Sequence, residues 1–545
     1  MNILAVIPAR GGSKGIPRKN IRLLLSAPLI SYCIQNALSS SFGIDVVVST
    51  DDDEISRIAD LYGATIVHRP DNLSGDSVTL DPVVHHATIE MEKTTSKHYD
   101  IVVTLQPTSP LLKTKTLDSA ISYFIENNHD TVLSGINKPH LSWKERNGSM
   151  IPNYKERLNR QFLPKELLET GAFLISKREH IRKDSRFGPD VSVYEVPENE
   201  SIDIDSPHDW WVAEKELSKK NILIRVEGYS EIGLGHIYRA LLLADNLIEH
   251  NVRFVLSEQS DLGIKKIKAS HYPYSIISDD SEIFDLIEDY NTNILIHDML
   301  DTKMDYMKKC KSTGIRVVNF EDLGEGAQFA DAVVNDLYEK KNNLDNHYWG
   351  SDYYCIRDEF HLAKPTDFRE EVNEILVIFG GTDPCNLSKR LLDVVKSIGD
   401  QRIRYSFILG LGYKEKAKLM KDTEGKAQKI FFIQDVKNMA EYMANADIAI
   451  SSQGRTMFEL ASMGVPTILL AQNERELHHE FGNLGNGFIN LGLGSEVKNE
   501  TIKQTLLWLI NSSQIRKQMR DRMLKDDLKK GIFRVKNIIL GTSVV

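Results

Sequence analysis

Four cations stand within ten residues near the start of the chain, Arg10, Lys14, Arg18 and Lys19, interleaved with Gly11, Gly12 and Gly15 in the string IPARGGSKGIPRKN, Ile7–Asn20. Glycines let backbone amides wrap an anion while the cations neutralise it, a combination suited to a polyphosphate. The spacing is not a Walker A loop: no GxxxxGK[ST] can be laid on it, and Pro17 stops a helix from starting straight after the glycines, so the loop itself must do the cradling. On composition alone, a solvated turn is an equal reading. A second constellation is SIDIDSPHDW, where Asp203 and Asp205 lie two residues apart. In an extended chain both carboxylates point to one face, and paired hard oxygens suit magnesium. Asp205 or Ser206 capping a helix that begins with Pro207 is the competing reading, and both can hold. Asp51, in STDDDEI, reads as a helix cap with Glu54 three residues on.

The second half has its own candidates. Gly233 and Gly235 precede His236 at a helix start, where the positive end of the dipole keeps an imidazole neutral and able to accept a proton. A dinucleotide fingerprint is excluded, because its third glycine falls at Tyr238. The amides of Gly380, Gly381 and Thr382 suit a diphosphate at a helix start, against which Asp383-Pro384 reads as an ordinary cap. Glu459 is equally double: a ribose grip just past a glycine turn, or the acid of a capping box with Thr456.

The elements that position these residues are short Val/Ile runs alternating with helical patterns: Ile3 to Ile7, a helix near Pro28 to Ser40, Val46 to Ser49, a helix near Glu54 to Tyr62, Thr65 to Val67, and Ile101 to Leu105. Such alternation predicts an α/β domain with a mostly parallel sheet, with ligands at the strands' carboxyl ends. Arg69 and Gln106 each follow a strand, although their types alone read as surface loop. The helical run to Asn221 and a new strand at Ile222 place a domain boundary near Lys219. Beyond it, two Rossmann-like lobes, 220–366 and 367–545, make a glycosyltransferase-B-type architecture with a cleft between them.

The 545 residues call for several cores. The formal charge of −10, with 41% hydrophobic and 26% charged residues, fits an ordinary globular protein and argues against a nucleic-acid or anionic-membrane binder. Cys33, Cys310, Cys355 and Cys385 show no CxxC spacing and read as free thiols of a reducing compartment. MNILAVIPARGG reads as a strand rather than a signal peptide, and no apolar run approaches a membrane span. The expectation is a cytoplasmic protein.

The string PARGGSKGIPRKN resembles the signature of acylneuraminate cytidylyltransferases, which make CMP-activated nonulosonic acids; its GGSKGIPRKN form matches that branch better than the 3-deoxy-octulosonate one. The resemblance implies that Ala9, Arg10, Gly11, Gly12, Ser13, Lys19 and Asn20 hold CTP, that Arg69 and Gln106 read the cytosine, that Asp203 and Asp205 hold magnesium, and that Arg10 and Lys19 act in catalysis. It also implies that Arg160, Gln161 and Lys165 meet the sugar acid, in a region that pairs subunits into a homodimer. Where many members read NGA, this chain has Thr170, Gly171, Ala172. In the second half GLGHIYR, YCIRDEF, FGGTDP and Ser451 to Glu459 with AQNE together resemble the UDP-sugar hydrolase of the pseudaminic acid pathway, a relative of the lipid-II-forming N-acetylglucosaminyltransferase. This implies a catalytic His236, UDP on Gly380, Gly381, Thr382, Ser452, Gly454 and Glu459, and sugar on Asn473. The departure is HDML: Asp298 aligns, but Leu300 stands where that family carries a tyrosine. A glycosyltransferase or a nucleotide-sugar sensor therefore stays open for this half.

Overall fold

A computed structural model describes residues 1–545 except 13–14, 230–231, 411, 414, 422–428, 435, 437 and 543–545. The chain divides into two compact units, Met1–Lys219 and Lys220–Val545.

The first unit is built on a seven-stranded sheet in the order Val191–Glu195, Thr131–Asn137, Leu167–Lys177, Ile101–Leu105, Ile3–Pro8, Asp45–Thr50, Thr65–His68. Only Leu167–Lys177 runs antiparallel to its neighbours. Both faces of the central strands are covered, which is why Ile3 to Ile7 and Ile101 to Leu105 are apolar runs buried throughout rather than alternating patterns. The first strand lies between the second and the fourth long parallel strands, so the crossovers leave in opposite directions at Ile3–Pro8 and Ile101–Leu105 and open a crevice beyond their carboxyl ends.

Helices form at Leu29–Leu38 and Asp53–Leu61. The segment Ser201 to Asp205, expected to be strand-like, joins no sheet; one backbone bond, Ile204 N to the Thr108 carbonyl at 2.8 Å, ties it beside the crevice. Helix Pro207–Leu217 is capped by Ser206 in a box with Asp209, which leaves Asp205 uncommitted as a cap.

The second unit repeats one topology twice. Its first sheet orders Tyr274–Ile277, Asn251–Ser257, Asn221–Val226, Ile294–Asp298, Arg316–Phe320, Ala332–Asn335, His347–Trp349; its second orders Lys429–Gln434, Arg404–Leu409, Glu374–Ile378, Ile448–Ser451, Thr467–Ala471, Phe488–Leu493. All pairings are parallel. In each, the first strand sits mid-sheet, so each lobe has its own switch point. The lobe division differs from the expected 367–545 in one element: the last helix, Gly531–Leu540, buries Ile532, Val535, Ile538 and Ile539 in the core of the first lobe. Its apolar stripe finds its sheet there, and Arg316 Nη2 donates to the Ile538 carbonyl at 2.7 Å. Among the described residues, no helix is long and apolar enough to cross a membrane.

Candidate functional site

At the switch point of the first unit a cavity of about 450 Å³ is lined by Arg10, Gly15, Lys19, Asn20, Arg69, Gln106 and Asp205, among others. The cationic loop is pinned at its ends: Ala9 N donates to the Ser49 carbonyl at 3.0 Å, Gly11 N to Asp51 Oδ1 at 3.1 Å, and Asn20 Nδ2 to the Arg10 carbonyl at 3.0 Å. Asp51 is thus a loop anchor and not the expected helix cap. The helix begins at Asp53, and it is Asp52 that takes the amides of Glu54 and Ile55. Gly15 passes so close to the DID segment that a Cβ there would meet the Asp205 carbonyl oxygen at 2.5 Å; only glycine permits that approach.

Arg10 Nη1 contacts Asp76 Oδ1 at 2.8 Å, and Lys19 Nζ reaches the Ile204 carbonyl at 2.5 Å and Asp205 Oδ1 at 3.2 Å. Gly12 has open space around it. Arg18 departs from the polyphosphate reading: it takes a left-handed backbone with φ 56° and pairs with Glu54. Ser13 and Lys14 lie outside the described residues.

Arg69 is buried, with Nη2 on the Ser49 carbonyl at 2.7 Å. Burial pushes its pKa down, Arg10 adds to that, and Asp51 opposes it. Gly171, at φ +72°, stands where a Cβ would be 3.1 Å from Gln106 Nε2 and 3.6 Å from Asp203 Oδ2. The TGA turn therefore gathers the amide expected to read a base and a carboxylate expected to bind metal around one point. Asp203 Oδ1 is buried without a hydrogen bond of good geometry, although the Thr108 hydroxyl is near enough to favour its ionised form. Burial, and then Asp205, push this carboxyl's pKa up. An under-bonded oxygen beside a second carboxylate, whose ionisation a cation would favour, fits a divalent metal. Arg160, Gln161 and Lys165 do not line this cavity. They are exposed, the first two in the turn Arg160–Phe162, and Lys165 pairs with Glu195.

In the second unit the two lobes enclose a cleft of about 410 Å³ whose lining includes His236, Leu300, Gly380, Gly381, Thr382, Ser452, Gly454 and Asn473. His236 is the second residue of helix Gly235–Asn246, and its Nδ1 lies 2.7 Å from Asp298 Oδ1. With Nδ1–H donating to that carboxylate, Nε2 is the ring nitrogen left for other partners. Three residues along the same helix face, Arg239 grips both oxygens of Asp298, Nε to Oδ2 at 2.8 Å and Nη2 to Oδ1 at 2.5 Å, and Nη2 also stands 3.3 Å from His236 Nδ1. Burial works against ionisation of Asp298, but Arg239 outweighs it and holds the pKa below the usual range.

An adjoining pocket of about 180 Å³ is lined by Arg357, Gly410 and Glu459, among others. Glu459 forms no capping box: helix Thr456–Ser462 has no side-chain cap, and Oε1 accepts from Arg357 Nε at 2.7 Å. The helix after Gly380 starts only at Leu387, and its first amides, Leu387 and Ser388, are taken by Asp383 at 2.9 and 2.8 Å. Asp383 therefore holds the helix's first amides, but from three residues before the N-cap position, which is Asn386, and not as the ordinary cap next to Pro384. A diphosphate at Gly380 to Thr382 would rely on the glycine turn rather than on the helix end.

Sequence reasoning missed Arg239, Glu321, Asp336 and Arg455. The first was findable, being i+3 from His236; the acids each directly follow a strand but have no motif of their own.

Fold and sites together define a Rossmann-like nucleotidyltransferase domain followed by a two-lobed glycosyltransferase-B-type domain. The model for the family described as Cytidylyltransferase matches residues 4–154, and that for the Glycosyltransferase family 28 C-terminal domain matches residues 375–532. Over 217 residues the chain is 38% identical to pseudaminic acid cytidylyltransferase of Campylobacter jejuni, covering 38% of this chain and 93% of that protein. It is 36% identical over 224 residues to N-acylneuraminate cytidylyltransferase A of Danio rerio, covering 40% of this chain and 51% of that protein. Spore coat polysaccharide biosynthesis protein SpsG of Bacillus subtilis is 27% identical over 336 residues, with 58% of this chain and 96% of that protein covered. Through its first unit the chain belongs to the cytidylyltransferase family. It spans about half the length of several curated relatives, 51% of the Danio rerio protein.

Proposed function

We propose that the first unit transfers CMP from CTP to a nine-carbon sialic-type acid with release of pyrophosphate, and that the second unit hydrolyses a UDP-linked diacetamido-trideoxyhexose to free sugar and UDP. For the first activity the supporting observation is the convergence of the pinned loop, Gln106 and the under-bonded Asp203 at one switch point. Arg10 and Lys19 would stabilise triphosphate charge, and Arg69 and Gln106 would supply donors to the cytosine. The sugar's anomeric hydroxyl attacks the α-phosphorus as pyrophosphate leaves. Asp203 and Asp205 would hold magnesium, which when bound neutralises phosphate charge. A homodimer through this unit is supported by exposed Trp143, Met150 and Phe162 in and beside the hairpin 143–152.

For the second activity the supporting observation is the His236–Asp298 pair in the cleft. Nε2 would take a proton from water attacking the anomeric carbon, with UDP leaving from the opposite face. Leu300 in the same cleft supplies no hydrogen bond, and this favours a second reading in which the domain is a glycosyltransferase or binds nucleotide sugar without turnover. Assays of fragments 1–219 and 220–545 separate the readings. The first fragment is expected to release pyrophosphate from CTP with a nonulosonic acid, and the second to yield UDP and free sugar without an acceptor. UDP-sugar binding without free sugar would move the second reading ahead, and no pyrophosphate from the first fragment with any sugar acid of the class would end the cytidylyltransferase proposal.

A further inference from the structure

The connection between the two sheets of the second unit packs its apolar residues into the second lobe: Tyr354, Ile356 and Phe360 are buried in that core, and the Tyr354 ring stacks on Phe458 with centroids 4.1 Å apart. Arg357 lies among them, just before the short helix Asp358–Leu362, and lines the pocket of about 180 Å³ together with Tyr238, Met439 and Glu459. Its guanidinium acts as a two-armed fork. Nε donates to Glu459 Oε1 at 2.7 Å, while Nη1 lies 2.7 Å from Glu359 Oε1. Glu359 is fixed in turn, since its Oε2 accepts the Ala440 amide at 3.3 Å in helix Met439–Asn445. The rings of Phe360 and Tyr238 flank the fork at 5.3 and 6.0 Å.

Glu459 is buried, at 8% exposure. A carboxylate in such a place needs a partner, and Arg357 is that partner. Burial works against the arginine's own charge, but Glu459 outweighs it and holds the Arg357 pKa above the ordinary value. Among the described residues no donor bonds Glu459 Oε2, so one oxygen is held and the other is left for a ligand. Glu459 is also the single carboxylate among the described residues lining this pocket. The other two charged residues there, Arg239 and Arg455, are donors already spent on buried acids: Arg239 on Asp298, Glu321 and Asp336, and Arg455 on the last two. An ionised carboxylate only accepts, so its ligand partner must be a donor, which a ribose hydroxyl is and a phosphate oxygen is not.

We propose that Arg357 is a positioning residue that fixes Glu459 on the ribose hydroxyls of the bound nucleotide, and so makes this site prefer ribonucleotides over deoxyribonucleotides. The fork carries the effect. With Nη1 anchored on Glu359, Nε holds one oxygen of Glu459 still while the other accepts from the ribose. A lysine, a single point charge on a flexible stem, cannot span both acids. Arg357 touches no part of the nucleotide and acts through Glu459 alone. The proposal rests on the reading of the second unit as a UDP-sugar site with Glu459 at the ribose.

The test is the calorimetric affinity of the full-length chain for UDP, 2′-deoxy-UDP and 3′-deoxy-UDP. The wild type is expected to bind UDP about ten- to hundredfold more tightly than the analogue lacking the hydroxyl that Glu459 takes, the usual worth of a hydrogen bond to a charged group. Arg357→Met and Arg357→Lys should each shrink that preference to about twofold, mostly by weakening UDP while the deoxy analogue binds as before. Glu459→Ala should abolish the preference, and adding Arg357→Met to it should change nothing further, because the two residues act as one unit. A preference kept in Arg357→Lys overturns the proposal. So does an equal loss of affinity for all three ligands in Arg357→Met, the result of a phosphate contact or of a purely structural role. Should Arg357→Met fail to fold, Arg357→Lys decides by the same two criteria. A preference lost in Glu459→Ala but kept in the Arg357 variants overturns the role of Arg357 alone. A wild type that binds no UDP, or whose preference survives in Glu459→Ala, ends the ribose reading and the proposal with it.

Discussion

Replacing Asp203 by asparagine is expected to raise the stability of the first unit while removing its activity. The carboxyl is held by burial, and by the neighbouring Asp205, with its pKa above the ordinary range. A group whose folded-state pKa is raised above its unfolded value of about 3.9 binds a proton in the folded form that the unfolded chain has released. Stability therefore falls as pH climbs through that window, and at pH 7 the cost is fully present. Asparagine keeps the shape and removes the charge. Solvent reaches part of the site, which discounts the cost to about 1 kcal/mol, or roughly 2–4 °C of melting temperature for a unit of this size. The assay is thermal melting of fragment 1–219 without divalent metal, repeated with magnesium, beside pyrophosphate release. Metal at a hundred times its dissociation constant should add about 2.7 kcal/mol to the wild type and little to the variant, reversing their order. Turnover should drop by about two to three orders of magnitude. A variant that melts lower without metal, or that keeps near-normal turnover, would refute the argument.

Gly171→Ala should lower kcat/KM for CTP at least about tenfold and cost about 1–2 kcal/mol, because the residue sits at φ +72° and its methyl would press on Gln106; pyrophosphate release and melting check both, and unchanged kinetics would detach Gly171 from the site. His236→Asn should leave UDP affinity intact by calorimetry and cut hydrolysis by about two to four orders of magnitude. Full hydrolysis by this variant would take His236 out of the mechanism.

Much of this protein was legible in its sequence because the signals were local. Continuous Val/Ile runs with intervening helical periods marked mostly parallel sheets, and the cationic glycine string, Arg69, Gln106 and the Asp203–Asp205 pair each sat just past a strand or beside a helix cap. What composition could not do was choose among local alternatives. Asp51 or Asp52 and Asp205 or Ser206 are one-residue differences that depend on where a helix begins, and Glu459 turned out to be no cap but the partner of Arg357, 102 residues away in the chain. Strand order could not be read either, and it is strand order that brings Gly171 over Gln106 and Asp203, residues 65 and 32 positions away in the chain. The last helix shows the same limit: its apolar stripe was readable, but that it crosses back to the first lobe was not, since hydrophobic burial is nondirectional and names no partner. The charge cluster of Arg239, Asp298, Glu321, Asp336 and Arg455 was the least visible. Its members are spread over more than two hundred residues, and burial alone turns five residues of ordinary surface types into one electrostatic unit, because charges interact strongly only where water is excluded.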